Sequence, residues 1–104
     1  MEVYGLKDLS ITALYDCYSG LLSEKQRTVF EYYYDDDLSL SEIAEHTGTT
    51  RQGVRDLLKR SEEQLKSFEE VLKLYEKNEL LKKLLSLCEE LPEVKEAIDR
   101  ILSM

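Results

Sequence analysis

A chain of 104 residues has room for one domain with a real core and none for a second. Apolar residues make up 42% and charged ones 35%, which suits a folded chain rather than a disordered one, and four Gly and one Pro among abundant Leu, Glu and Lys predict an all-α fold. A formal net charge of −8 argues against general attraction to nucleic acid, and no apolar run approaches the ~18–20 residues of a membrane span.

The opening MEVYGLKDLS has no basic stretch followed by an apolar one, so the chain is expected to stay in the cytoplasm. Residues 8–19 place Ile11, Leu14 and Tyr18 at helical spacing, with Gly20 as a stop. Ser23 to Gln26, SEKQ, is a capping-box pattern opening a helix that turns Val29, Phe30, Tyr33 and Tyr34 towards the core. Asp35, Asp36 and Asp37 interrupt it as a solvated loop; a calcium loop needs spaced ligands and a Gly that are absent there.

SLSE at 39–42 is a second capping box, and the short helix it starts ends at Gly48. The next helix is expected from Thr50 to about Asn78. Along it Val54, Leu58, Ser61, Leu65, Phe68, Leu72 and Tyr75 alternate by four and three, a coiled-coil seam with one polar position. Leu57, Val71 and Leu74 widen that stripe. The Leu-rich segment 80–91 follows, and Pro92 suits the first turn of a last helix bearing Val94, Ala97, Ile98, Ile101 and Leu102. Five or six helices are expected. Cys17 and Cys88 form no CxxC and occupy apolar helical positions, so buried free thiols are expected, with no disulfide and no metal.

Residues 38–61, LSLSEIAEHTGTTRQGVRDLLKRS, have the layout of a helix-turn-helix. Small Ala44 marks the helix crossing, Gly48 the turn where φ is positive, and Val54 and Leu57 the inner face of the next helix. An apolar residue is usual where Thr49 stands. With Thr50 as N-cap, the recognition helix would expose Arg51, Gln52, Arg55, Lys59 and Arg60, with Arg51, Arg55 and Lys59 on one face for phosphates or guanine edges. Residues 51–60 hold four basic side chains and one acid, whereas 1–38 hold eight acids against three bases and 67–104 nine against six. The charge is therefore polarised. A single patch of +3 makes few phosphate contacts, so DNA binding should be weak at most. His46, the one histidine, sits at the end of a short helix in a solvated or capping role, and no nucleophile–base pair, phosphate loop or ligand cluster is visible. No enzymatic activity and no cofactor are expected.

The stretch LLSEKQRTVFEYYYDDDLSLSEIAEHTGTTRQGVRDLLKRSEEQL, residues 21–65, resembles region 4 of bacterial sigma factors. It is more closely similar to the YlxM-type helix-turn-helix family, through LLSEKQ, YYYDDDLSLSEIAE and TRQGVRDLLKRSEEQL, with LYDCYSGLL extending the likeness towards residue 11. The resemblance implies a sigma-region-4-like helix-turn-helix of the winged-helix-like superfamily. It also implies a cytoplasmic bacterial protein, encoded beside the signal recognition particle GTPase, that assists or regulates that pathway through the GTPase or its RNA. Arg51, Gln52, Arg55, Lys59 and Arg60 match the family's recognition helix, while Thr49 and Gly53 depart from the usual apolar residue and Ala and weaken the case for base reading. The different-class alternative is a DNA-binding transcription regulator. One helical domain is expected over 1–104, with 21–65 as the helix-turn-helix core and 66–104 as an oligomerising tail. Twelve apolar tail residues and the self-complementary seam from Val54 to Tyr75 predict a homodimer.

Overall fold

The computed structural model describes residues 10–104. In order it shows α1 (Ser10–Tyr18), a 3-10 turn (Ser19–Leu21), α2 (Glu24–Tyr34), α3 (Leu40–Thr47), α4 (Arg51–Leu72), α5 (Leu74–Leu87) and α6 (Pro92–Leu102). The all-α fold is as expected; a first-helix start at residue 8 lies outside the described residues. The chain divides into two compact units, the first ending at Val71 and the second running from Leu72 to Met104.

Helix starts in the first unit follow the capping chemistry. The Gln26 N–H donates to Ser23 Oγ at 3.1 Å and the Ser23 N–H to Gln26 Oε1 at 2.9 Å. Ser39 and Glu42 repeat the exchange at 3.1 and 3.0 Å. Each box satisfies two amide donors that a helix N-terminus leaves without partners. At the other end of α3, Gly48 caps the helix at φ 69° and ψ 28°, and a Cβ added there would touch nothing within 4 Å. Gly48→Ala therefore carries backbone strain alone and should cost about 1 kcal/mol, with Gly48→Asn recovering part of it. Urea midpoints of the two variants check this; an unchanged Ala variant would show that the turn relaxes.

The core of the first unit has two clusters. Val29 and Tyr33 of α2, Leu40, Ile43 and Ala44 of α3, and Val54 and Leu58 of α4 form one. Ile11 and Tyr18 of α1, Leu22, Phe30 of α2 and Leu65 of α4 form the other. Helices α2 and α4 serve both, so they set the angle at which α3 is presented. Tyr15 stacks on Phe30 with centroids 4.2 Å apart, and Phe30 on Tyr34 at 4.4 Å. The phenol tips reach carboxylates: Tyr15 donates to Glu31, Tyr18 to Glu69 at 2.6 Å and Tyr34 to Glu62 at 2.7 Å. The tyrosines are thus core edges with a polar handle, as expected of them.

Burial raises the Tyr15 phenol above its ordinary value of 10.0, reinforced by its hydrogen bond to Glu31. Burial does the same for Tyr33, with the charge of Glu62 behind it. A raised folded-state value favours the folded chain while the phenols stay neutral. That contribution is complete below pH 10.0 and is lost as the unfolded chain ionises above it. Urea midpoints should fall above pH 10.0, less steeply in Tyr15→Phe. Equal slopes would show that Tyr15 titrates alike in both states.

Three expectations are corrected. Helix α4 stops at Leu72 rather than near Asn78, because Lys73 adopts a left-handed conformation at φ 56° and restarts the chain as α5. No Gly or Pro announces that break. The seam is also internal: Val54, Leu58, Ser61 and Leu65 are buried in the first unit, while Leu72 and Tyr75 are exposed. Through Leu65 it is therefore intramolecular packing and offers no self-complementary surface. Cys17 and Cys88 are half-buried rather than buried.

In the second unit α5 and α6 pack together, with Pro92 in the first turn of α6. Ile98 is buried, and Leu81, Leu85, Cys88 and Leu102 are half-buried. Leu80, Leu84, Leu87, Leu91, Val94 and Ile101 remain exposed. Among the described residues no helix is long and apolar enough to cross a membrane.

Candidate nucleic-acid interface

Helix α4 begins where the sequence places it. The Val54 N–H donates to the Thr50 carbonyl at 3.0 Å, and the Thr50 hydroxyl accepts from the Gly53 N–H at 3.0 Å, so Thr50 is the N-cap. A Cβ on Gly53 would lie 3.2 Å from that hydroxyl, a tight contact that a small shift of the Thr50 side chain would have to relieve. Thr49 is exposed; its hydroxyl lies 3.0 Å from that of Thr47, which in turn donates to the Ile43 carbonyl at 2.8 Å. A polar residue at this turn is thus satisfied without reaching the core.

The five residues expected to meet nucleic acid do not form one face. Arg51 and Lys59 are exposed on one flank of α4. Arg55, between them, is half-buried and has interactions of its own within the fold. Gln52 is exposed and donates through Nε2 to Asp56 Oδ1 at 2.8 Å, so its amide is already engaged. Arg60 is about 100° further round the helix than Lys59. It lines a separate groove of about 250 Å³ with Lys25, Thr49, Gly53, Asp56 and Leu57. Lys25, from the first turn of α2, is a basic neighbour that sequence reasoning missed. It lies 35 positions before Arg60, and no local pattern connects two residues joined only by tertiary packing.

The basic flank is also short. From Arg51 to Lys59 is about 12 Å along the helix. Glu62 and Glu69 follow on that flank, bound by the hydroxyls of Tyr34 and Tyr18. The surface can meet a few phosphates, and anions beyond Lys59 would face carboxylates. His46 is exposed on α3, its ring 5.5 Å from that of Tyr32. Among the described residues no three potential metal ligands converge.

The two capped helices, the left-handed Gly48 and the buried Ala44, Val54 and Leu58 are the geometry of a helix-turn-helix. The model of the UPF0122 family, YlxM/p13-like helix-turn-helix proteins, matches residues 5–103. The chain belongs to this family. Among its YlxM/p13-like relatives, a UPF0122 protein of Clostridium botulinum is 54% identical over 70 residues, covering 67% of this chain and 64% of the relative. One from Caldanaerobacter subterraneus is 51% identical over 77 residues, covering 73% and 66%. One from Shouchella clausii is 46% identical over 80 residues, covering 77% and 73%. The chain thus spans just under two thirds of the length of the first two relatives.

Proposed function

We propose that this protein is a non-enzymatic helical adaptor or regulator in the bacterial cytoplasm, acting in the signal recognition particle pathway, with a helix-turn-helix that touches nucleic acid weakly. The observation that carries the nucleic-acid part is the exposed pair Arg51 and Lys59 on the outer flank of a capped α4, within a chain of net charge −8. A patch this small supplies little affinity, which fits a partner held mainly through protein surface or shared with another binder rather than a free-standing DNA reader. The pathway assignment rests on the YlxM-type resemblance. Arg51, Gln52, Arg55, Lys59 and Arg60 remain the proposed binding set, with Arg51 and Lys59 foremost.

A salt titration tests this reading. The adaptor should show weak, salt-sensitive nucleic-acid binding and a complex with the particle's GTPase or its RNA at micromolar concentration. Binding neither component would sink it. A transcription regulator would instead hold one DNA site ~10³-fold tighter than other DNA. Arg51→Ala and Lys59→Ala should each weaken nucleic-acid binding and lower the salt slope by about one for each phosphate no longer neutralised. Lys95→Ala, in the second unit, should leave both unchanged; Lys7, a second control, lies outside the described residues. Equal effects of the Arg51 and Lys95 variants would mean diffuse attraction rather than a helix-turn-helix mode.

A further inference from the structure

Helices α5 and α6 carry a face that their own packing does not cover. Leu80, Leu84 and Leu87 recur at four and three residues along α5, and all three are exposed. Leu91 in the turn and Val94 and Ile101 on α6 are exposed apolar residues as well. Inside the hairpin only Ile98 is buried. Segments below about 40 residues do not usually hold a fold without a disulfide, a metal or association. Here Cys88 is free, and no three potential metal ligands converge among the described residues. Association remains, with the first unit or with a second copy of the hairpin.

Charge identifies the occupant. Lys73, Lys77, Lys82 and Lys83 on and just before α5 outnumber Glu76 and Glu79. In 89–100 the order reverses, with Glu89, Glu90, Glu93, Glu96 and Asp99 against Lys95 and Arg100. Within their own bounds α5 carries a net +1 and α6 a net −1, Lys73 before α5 and Glu89 and Glu90 in the turn before α6 adding to each bias, and the hairpin is close to neutral, unlike the strongly acidic residues 1–71. A second copy related by a two-fold axis lays each basic α5 on an acidic α6, so apolar stripes and charged rims match together. An anionic lipid surface would meet the lysines of α5 but be repelled by the acids of α6. We propose that the second unit is half of a four-helix bundle completed by the same hairpin of a second copy, α5 of one packing on α6 of the other. The two copies also give the assembly two α4 patches, which raises weak single-site binding through effective concentration. The dimer is argued from α5 and α6 alone and stands apart from the proposed pathway.

Sedimentation equilibrium of the full chain at micromolar concentration should give twice 12.2 kDa. Leu84→Glu with Leu87→Glu should weaken the dimer at least about 100-fold, while Leu21→Glu, at an exposed leucine of the first unit, should leave the mass doubled. Circular dichroism distinguishes dissociation from unfolding. Lys77→Glu with Lys83→Glu, and separately Glu93→Lys with Glu96→Lys, should each weaken self-association about 10-fold, and mixing the two variants should restore it as a heterodimer. This arm decides the matter even where the leucine variant fails to fold. A wild-type species of 12.2 kDa overturns the proposal, as does a mixture no tighter than its parts. A monomer that sediments with anionic vesicles overturns it too and assigns the face to lipid.

Discussion

Leu58→Ala should destabilise the first unit by about 3 kcal/mol, read as a lower urea midpoint at unchanged slope. Leu58 is 0% exposed and belongs to the cluster in which α2, α3 and α4 meet. Its truncation removes buried methyl groups and leaves a cavity between helices tied together elsewhere, so collapse is resisted. Gln26 donates to Gln64 at 2.6 Å between α2 and α4, and Tyr34 to Glu62 at 2.7 Å. Tyrosine fluorescence is a suitable probe, since Tyr15, Tyr18 and Tyr32 to Tyr34 lie in and around the two clusters. Leu72→Ala, at a leucine 41% exposed, should cost under about 0.5 kcal/mol. Similar costs for both would mean that the cluster is not the core. Because Leu58 holds α4 against α3, the same variant should weaken nucleic-acid binding only as far as it unfolds the helix-turn-helix.

How much of this was legible from the residues depends on the range over which each signal acts. Ser23 with Gln26, Ser39 with Glu42, Gly48 and Pro92 act within four residues, and each stands in the structure where its chemistry puts it. The inward set Val29, Phe30, Tyr33, Ile43, Val54 and Leu58 is likewise local periodicity made visible. What could not be read was long-range or without signal. Lys73 ends α4 in a left-handed turn with no breaker residue, a conformation that costs a lysine energy and that only the surrounding fold can impose. Spacing by fours placed Arg51, Arg55 and Lys59 on one face correctly, yet it could not report that Arg55 is half-buried. It also could not say that Arg60 lines a groove with Lys25.

The charge polarity takes a more specific form in three dimensions. A basic first stretch of α4 in an acidic chain is bounded by Glu62 and Glu69, whose carboxylates are held by buried or half-buried tyrosines. Those acids are thus part of the core's edge as well as a limit on the proposed anion-binding surface. An acidic body of this kind disfavours unspecific adhesion to nucleic acid.

Ser61→Leu should destabilise the first unit by about 1–3 kcal/mol, although the seam rule read alone predicts the opposite. Ser61 interrupts an apolar stripe, and a leucine there would complete the heptad pattern of a coiled coil. In the fold Ser61 is 1% exposed and lies on α4 between Leu58 of one cluster and Leu65 of the other. Its hydroxyl donates to the Leu57 carbonyl one turn back at 2.8 Å, so the polar atom is satisfied within its own helix and asks nothing of its neighbours. The position therefore calls for small size rather than for polarity. Ser61→Ala should change stability by less than about 1 kcal/mol, since the carbonyl it releases keeps its helical partner. The bulkier side chain of the Leu variant must instead push α4 away from the helices it packs on and loosen both clusters. Urea midpoints of the two variants separate the explanations. A Leu variant more stable than wild type would mean that the space beside Ser61 is open and that the serine serves register alone.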